Sequence, residues 1–334
     1  MAPKIMLYGV TGYTGGLAAE EMVKLGLYFV VGGRSADKVQ AKADALSVGS
    51  KVFSLESPAE IDEAIKGFTV VFNAAGPYFK TAGSLMDGCI RNGVHYADLA
   101  AETFSFAAAE KRDQAARDAG VILLPGGGGV AEVFMDCLVG HVLKRTPNAT
   151  HVDQVLDMNG PLTRGTIETI RSFTIEHLQK RVGGKLVQND FNNTITVDFN
   201  DGRGELIAPP TGDPQLYTLW KFPGISNIRT FIHKSGEPIP TAEASTLPLG
   251  PTTEQLDATP YQAVAIVSSA DGSKKKSILR MANGYVLTAQ ATAMACKILA
   301  EEDHGDKAGW VTPLQMFGSD YPLSFKGSSV ADVD

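Results

Sequence analysis

An α/β fold, built in its first part on a doubly wound parallel sheet, is what this sequence predicts, and three observations predict it. Ile5-Met6-Leu7-Tyr8 is an apolar run without polar alternation, as a strand buried on both faces requires. Gly9, Gly12 and Gly15 follow at three-residue spacing, ahead of a helical stretch, Leu17 to Leu25, that Gly26 stops. Short apolar strands then alternate with helical stretches as far as Leu124. At 334 residues the chain is too long for one core and divides into two domains.

The glycines let the chain turn sharply out of the first strand, bring backbone N–H groups near a pyrophosphate and seat the next helix on the sheet. Their spacing, Gly-x-x-Gly-x-x-Gly, is a variant of the dinucleotide fingerprint; the alternative is a tight strand-to-helix turn without a ligand. A second apolar strand, Leu27 to Val31, closes a βαβ unit of about 30 residues and favours the nucleotide. Gly9, Thr11, Gly12, Tyr13, Thr14 and Gly15 are therefore the candidate cofactor-binding turn.

The second strand leads into Gly32-Gly33-Arg34-Ser35. An acid at that point would accept the ribose 2′-OH of NAD and repel a phosphate. Arg34 and Ser35 instead offer a planar fork of donors and a hydroxyl, which predicts NADP(H) as the cofactor. The alternative is a solvated arginine with Ser35 capping the helix that begins at Ala36-Asp37-Lys38.

A polar helix follows from Asp37 to about Ala45, then a strand, Val52 to Leu55, and a helix, Ala59 to Lys66, opened by Ser57-Pro58. Thr69 to Asn73 is the fourth strand. Ala75, Gly76 and Pro77 after it are small or rigid enough for a nicotinamide to lie against the backbone, at the switch point between the first and fourth strands. The helix Ala82 to Asn92, the strand Val94 to Leu99, the helix Phe104 to Ala119 and the strand Val121 to Leu124 complete the pattern of a Rossmann domain. Gly126 to Gly129 then form a polyglycine turn whose entropy cost implies that a chain segment or a ligand approaches closely.

Val130 to Arg145 is an amphipathic helix, with His141 on its apolar stripe as a satisfied core or interface residue. Thr146-Pro147-Asn148 marks the domain crossing. Residues 1–145, completed by 285–334, are the expected first domain, and 146–284 an α+β second domain on a mixed or antiparallel sheet. In it, His151 to Met158 alternates like a strand. Thr163-Arg164-Gly165-Thr166 opens a helix whose start is an anion site or is simply capped by Thr163 or Thr166. Residues 201–260 hold nine of the 17 prolines with Tyr217, Trp220, Phe222 and Phe231 interleaved, suiting either a substrate cover or a homodimer surface. Tyr261 to Val267 and Ser277 to Met281 flank an Asp-Gly turn as a hairpin. The helix Tyr285 to Leu299 returns to the first domain.

The net charge of −7 argues against a nucleic-acid surface. No apolar run reaches the roughly 18–20 residues of a membrane span, and the first strand begins too early for a signal peptide. Cys89, Cys137 and Cys296, odd in number and within apolar patterns, predict a reducing, cytoplasmic compartment. The histidines lack ligand spacing, so no metal site is expected.

Gly9-Val-Thr-Gly-Tyr-Thr-Gly15, Asn73-Ala-Ala-Gly-Pro-Tyr78, His95-Tyr-Ala-Asp98 with Glu102, and Gly309-Trp-Val-Thr-Pro313 together resemble the saccharopine dehydrogenase-like family. The resemblance implies an NADP-binding Rossmann domain, an α+β second domain, and reduction of a C=N or an activated C=C bond of a small-molecule substrate. Family members that act as trans enoyl reductases carry a Gly-Phe-Asp-Ser-x-Pro-x-Asp pattern after the sixth strand; this chain keeps Gly129 and Asp136 but not the middle acid or proline. For the proton that accompanies hydride transfer, Tyr78 and Asp98, at carboxyl ends of strands, are the candidate donors, with Glu102 behind them. Each has a plainer reading, Tyr78 as a packing ring and Asp98 as a helix cap. Arg164 is the candidate holder of a substrate carboxylate or phosphate.

Overall fold

Strand and helix alternate through the first part of the chain as β1 (Ile5–Tyr8), α1 (Tyr13–Lys24), β2 (Phe29–Gly33), α2 (Ala36–Leu46), β3 (Gly49–Val52), α3 (Pro58–Ile65), β4 (Val70–Asn73), α4 (Tyr78–Asn92), β5 (His95–Asp98), α5 (Thr103–Asp118) and β6 (Ile122–Leu124). These elements come from a computed structural model that describes residues 4–333. The strands lie parallel in the order β6-β5-β4-β1-β2-β3, and Gly309–Trp310 adds a seventh, parallel to β6. Every residue of β1 and of β4 is buried, which is why neither shows polar alternation. The order reverses at β1 and β4, the crevice position of a doubly wound sheet.

Two elements begin earlier than expected. α1 starts at Tyr13 rather than Leu17, because its first turn holds Gly15 and Gly16 and no apolar stripe. α4 starts at Tyr78, directly after Pro77, rather than at Ala82. β3 lies at residues 49–52 and not 52–55; as an edge strand paired only to β2 it is largely exposed and carries no apolar run.

The remaining elements are α6 (Val130–Leu143), β7 (Ala149–Asn159), α7 (Arg164–Ser172), β8 (Gln179–Val182), β9 (Lys185–Gln188), β10 (Ile195–Asp198), β11 (Glu205–Ala208), β12 (Pro210–Thr211), α8 (Gln215–Lys221), β13 (Asn227–Ser235), α9 (Thr253–Ala258), β14 (Tyr261–Ser269), β15 (Lys274–Met281), α10 (Gly284–Glu301), β16 (Gly309–Trp310), α11 (Pro313–Phe317) and β17 (Ser329–Val333). The second sheet runs β17-β15-β14-β7-β13-β8-β9, with β12 beside β13. It is mixed: β13 is parallel to β7, and β14 is antiparallel to both β7 and β15. The β10–β11 hairpin covers one face, where Val197, Phe199 and Ala208 pack with Val155, Phe231, Val264 and Ile278.

The chain divides into one unit reaching Gly129 and including Thr288–Thr312, and a second comprising Val130–Leu287 and the chain from Pro313. The expected boundary at 145 therefore moves to 129. α6 is buried along nearly its whole length and packs on β7, β14 and β15, so it belongs to the second core. Of the expected C-terminal completion, only Thr288–Thr312 joins the first unit; α11 packs on α6, and β17 extends the second sheet at β15. Within the proline-rich 201–260 stretch, residues 227–235 form β13, an interior strand of the second sheet whose Phe231 is 1% exposed.

Candidate functional site

The three spaced glycines of the first unit differ in what demands them. Gly9 has φ +99, and a Cβ there would stand 2.6 Å from Ala74 C and Ala75 N. At Gly15 it would stand 2.4 Å from the Gly9 carbonyl oxygen. Both glycines are required by the protein's own backbone. Gly12 has φ −78, and its Cβ would meet only Gly9 O, at an ordinary 3.5 Å. Among the described residues nothing crowds the position a Cβ on Gly12 would take.

Gly12 is also the N-cap of α1 and supplies no side-chain cap, and the first turn holds no acid. The exposed Thr11 and Gly12 thus border the start of α1, where the positive end of the helix lies. A small backbone with no internal reason to be small, facing a positive helix end, fits a pyrophosphate. Tyr13 and Thr14, the first helical residues, are half-buried beside it.

At the end of β2, Arg34 and Ser35 are exposed. Ser35 is the N-cap residue of α2 by position, but its hydroxyl makes no capping bond. Among the described residues Arg34 forms no ion pair, and no carboxylate stands at the position an NAD site would use. These features fit a ribose 2′-phosphate.

The loop after β4 carries Ala75, half-buried, and Gly76 and Pro77, exposed and joined by a cis peptide. Asn73, fully buried, holds it in shape: its Oδ1 accepts the Ala75 amide at 3.0 Å, and its Nδ2 donates to Thr81 Oγ1 and to Tyr96 Oη, each at 3.1 Å. Thr81 in turn donates to the Ala75 carbonyl at 2.7 Å. Tyr96 Oη donates to Asp98 Oδ2 at 2.8 Å, and so does Ser105 Oγ, at 2.5 Å. Asp98 Oδ1 accepts the amides of Ala100 at 3.0 Å and Gly126 at 2.7 Å.

This network corrects one sequence expectation. Asp98 is fully buried and holds four donors, so it fastens loops and has no access to a substrate as a proton donor. Burial pushes its carboxyl up, against the pull of Ser105, Gly126, Ala100 and Tyr96. The polyglycine turn is explained by the same region. Gly126 has φ +69, and a Cβ on Gly128 would collide with Thr292 Oγ1, Phe72 and Leu99 at 2.4–2.9 Å, so a chain segment, not a ligand, is what approaches. Tyr78, 7% exposed, opens α4 and lies along Gly76.

In the second unit, Thr163 caps α7, its Oγ1 accepting the Thr166 amide at 3.1 Å. The Arg164 guanidinium donates to the Leu247 carbonyl, and its amide to Leu249 O at 3.1 Å. Arg164 thereby pins the 247–249 loop through one arm of its guanidinium, while its Nε is buried without a hydrogen-bond partner among the described residues. His141 is satisfied by Asp332 at 3.0 Å.

Sequence reasoning missed Asn73, Thr81, Tyr96 and Ser105. The available signal was Asn73 closing an apolar strand, since a polar side chain in a doubly buried strand needs a partner.

A parallel sheet ordered 3-2-1-4-5-6 with an uncapped, glycine-lined helix start defines a dinucleotide-binding α/β unit. Residues 5–124 match the family model described as the saccharopine dehydrogenase NADP binding domain, so the first unit carries such a domain, with NADP(H) as its cofactor. The chain is 30% identical over 144 residues to a human saccharopine dehydrogenase-like oxidoreductase, covering 37% of this chain and 34% of that protein. It is 28% identical over 106 residues to a trans-acting enoyl reductase of Mycobacterium ulcerans, covering 30% of this chain and 25% of that one. The matches thus span about a third or less of these relatives' length. The fold is that of an apo saccharopine dehydrogenase (L-Glu forming) from Saccharomyces cerevisiae, with TM-score 0.67 over 100% of both chains at 11% identity.

Proposed function

We propose that the protein is an NADPH-dependent oxidoreductase that reduces the C=N bond of a small metabolite. The observation that carries the cofactor part of this reading is Gly12, a residue kept small where the protein leaves room for a Cβ, at the start of α1 within residues matching the NADP-binding domain; the C=N bond rests on the resemblance to the saccharopine dehydrogenase-like family. When bound, the cofactor supplies the hydride. The α1 amides and Gly12 hold the pyrophosphate, Arg34 and Ser35 take the 2′-phosphate, and Ala75, Gly76 and Pro77 border the nicotinamide. Tyr78 remains the candidate proton donor of the first unit, its ring lying along Gly76 in the loop that Asn73 shapes. The buried, unpaired Cys89, Cys137 and Cys296 accord with a reducing, cytoplasmic setting.

Reduction of an activated C=C bond is the second reading, favoured by the mycobacterial relative. Incubation with NADPH and a panel of cyclic imines, α-keto acids with amines, and enoyl thioesters separates the two. Oxidation of NADPH with imines alone supports the first reading, and with enoyl thioesters alone the second. Cofactor binding without oxidation across the panel would leave a non-catalytic NADP sensor.

A further inference from the structure

Gly16 stands in the first turn of α1, four residues after Gly12, so the two lie one above the other on a single face of the helix start. Outside the helix's own backbone, a Cβ on Gly16 would meet only the Val10 carbonyl oxygen and Lys42 Nζ, each at an ordinary 3.7 Å. Alanine would fit there, and glycine within a helix destabilises it relative to alanine. Like Gly12, Gly16 is kept bare where the described residues leave room for a side chain.

The lysine reaches this strip from the neighbouring helix. Lys42 belongs to α2, is exposed, and makes no ion pair among the described residues. Its ammonium nonetheless lies against the positive end of α1, whose first turn holds no acid. The helix dipole repels a cation there unless an anion lies between the two. Four residues of helix rise about 6 Å, so the ammonium over Gly16 stands roughly one turn from the Gly12 N-cap, within the swing of a lysine side chain. We infer that Lys42 is a cofactor-binding residue, whose ammonium pairs with a phosphoryl group of NADP(H) laid along the bare face of Gly12 and Gly16. This rests on the cofactor reading above and assigns a further residue to it. The phosphoryl group belongs either to the pyrophosphate or to the ribose 2′-phosphate, and the two pyridine nucleotides separate them.

Calorimetric titration of wild type, Lys42→Met and Lys42→Arg with NADPH and NADH, at low and at high salt, tests it. Lys42→Met keeps the aliphatic stem and loses the charge. It is expected to weaken NADPH about five- to tenfold at low salt, and less at high salt, where screening removes the contribution from wild type. Lys42→Arg keeps the charge and should bind NADPH within about threefold of wild type. Without nucleotide, the melting temperature of Lys42→Met should equal or exceed that of wild type, because a cation has left the positive helix end. A matching loss for NADH assigns the ammonium to the pyrophosphate, and an unchanged NADH affinity assigns it to the 2′-phosphate. Unchanged NADPH affinity in Lys42→Met, an equal loss in Lys42→Arg, a loss indifferent to salt, or a lowered melting temperature would each overturn the assignment. A wild-type protein that binds neither pyridine nucleotide would overturn the cofactor reading itself, an outcome distinct from these.

Discussion

The Asp98 carboxylate accepts the Gly126 amide at 2.7 Å and so joins the loop that follows β5 to the loop that follows β6. Through Tyr96 and Asn73 the same carboxylate reaches the Ala75 loop after β4. One acid thereby fastens three consecutive loops at the carboxyl edge of the sheet.

Asp98→Asn should act on folding before chemistry. An amide cannot accept from four donors, so at least one buried donor is left unpaired, and a cost of about 2–4 kcal/mol is expected. Urea unfolding reads it as a lowered midpoint with an unchanged slope. A variant of wild-type stability that fails only in turnover would return Asp98 to a catalytic role.

The glycines of the first turn should separate under substitution. Gly15→Ala forces a methyl to 2.4 Å from the Gly9 carbonyl and should destabilise by about 1–3 kcal/mol. Gly12→Val should leave the melting temperature of the free protein near wild type while weakening NADPH binding about tenfold or more, since only a ligand needs that space. Parallel thermal melts and calorimetry distinguish the two.

Arg34→Ala removes the guanidinium from the end of β2. A charge-assisted contact contributes about 1.5–3 kcal/mol, so NADPH should bind roughly ten- to a hundredfold more weakly, with NADH little affected. Equal losses would remove Arg34 from the 2′-phosphate.

Two buried groups should give stability opposing pH dependences in an overlapping window, and single variants separate them. Burial pushes the Asp136 carboxyl up to about 8, against one hydrogen bond from Thr218. The folded state then holds a proton that the unfolded chain gives up, so stability declines as pH rises from about 4 to about 8. Asp136→Asn should flatten that decline. Burial, helped by His304, pushes His95 down to about 4, and its Nδ1 accepts the Ile122 amide at 3.1 Å. Protonation therefore favours the unfolded chain, and stability should fall as pH drops from about 6.5 to about 4, a loss that His95→Leu should abolish. Unfolding free energies measured across pH 4–9 test both.

The first unit was legible because its strands are buried on both faces and its helices pack locally, so that Ile5–Tyr8 and Val70–Asn73 announce themselves as apolar runs. The edge strand β3 did not, having one paired side and an exposed surface. The second sheet was legible only as a class. Its β7–β13 pairing joins residues such as Val155 and Phe231, far apart in sequence, and no local pattern encodes such a partnership. At the site, the glycine turn and Arg34 were readable from residue type. The role of Asp98 was not, because a carboxylate that donates a proton and one that anchors amides look alike until their neighbours are known.

The Asn73–Tyr96–Asp98 chain carries a kinetic consequence. The amides of Ala75, Ala100 and Gly126 are sequestered before any guest molecule arrives, so their exchange with deuterated solvent should be slow in the free protein and change little on loading. Docking at this rim is then a lock already cut, with little ordering left to do on association.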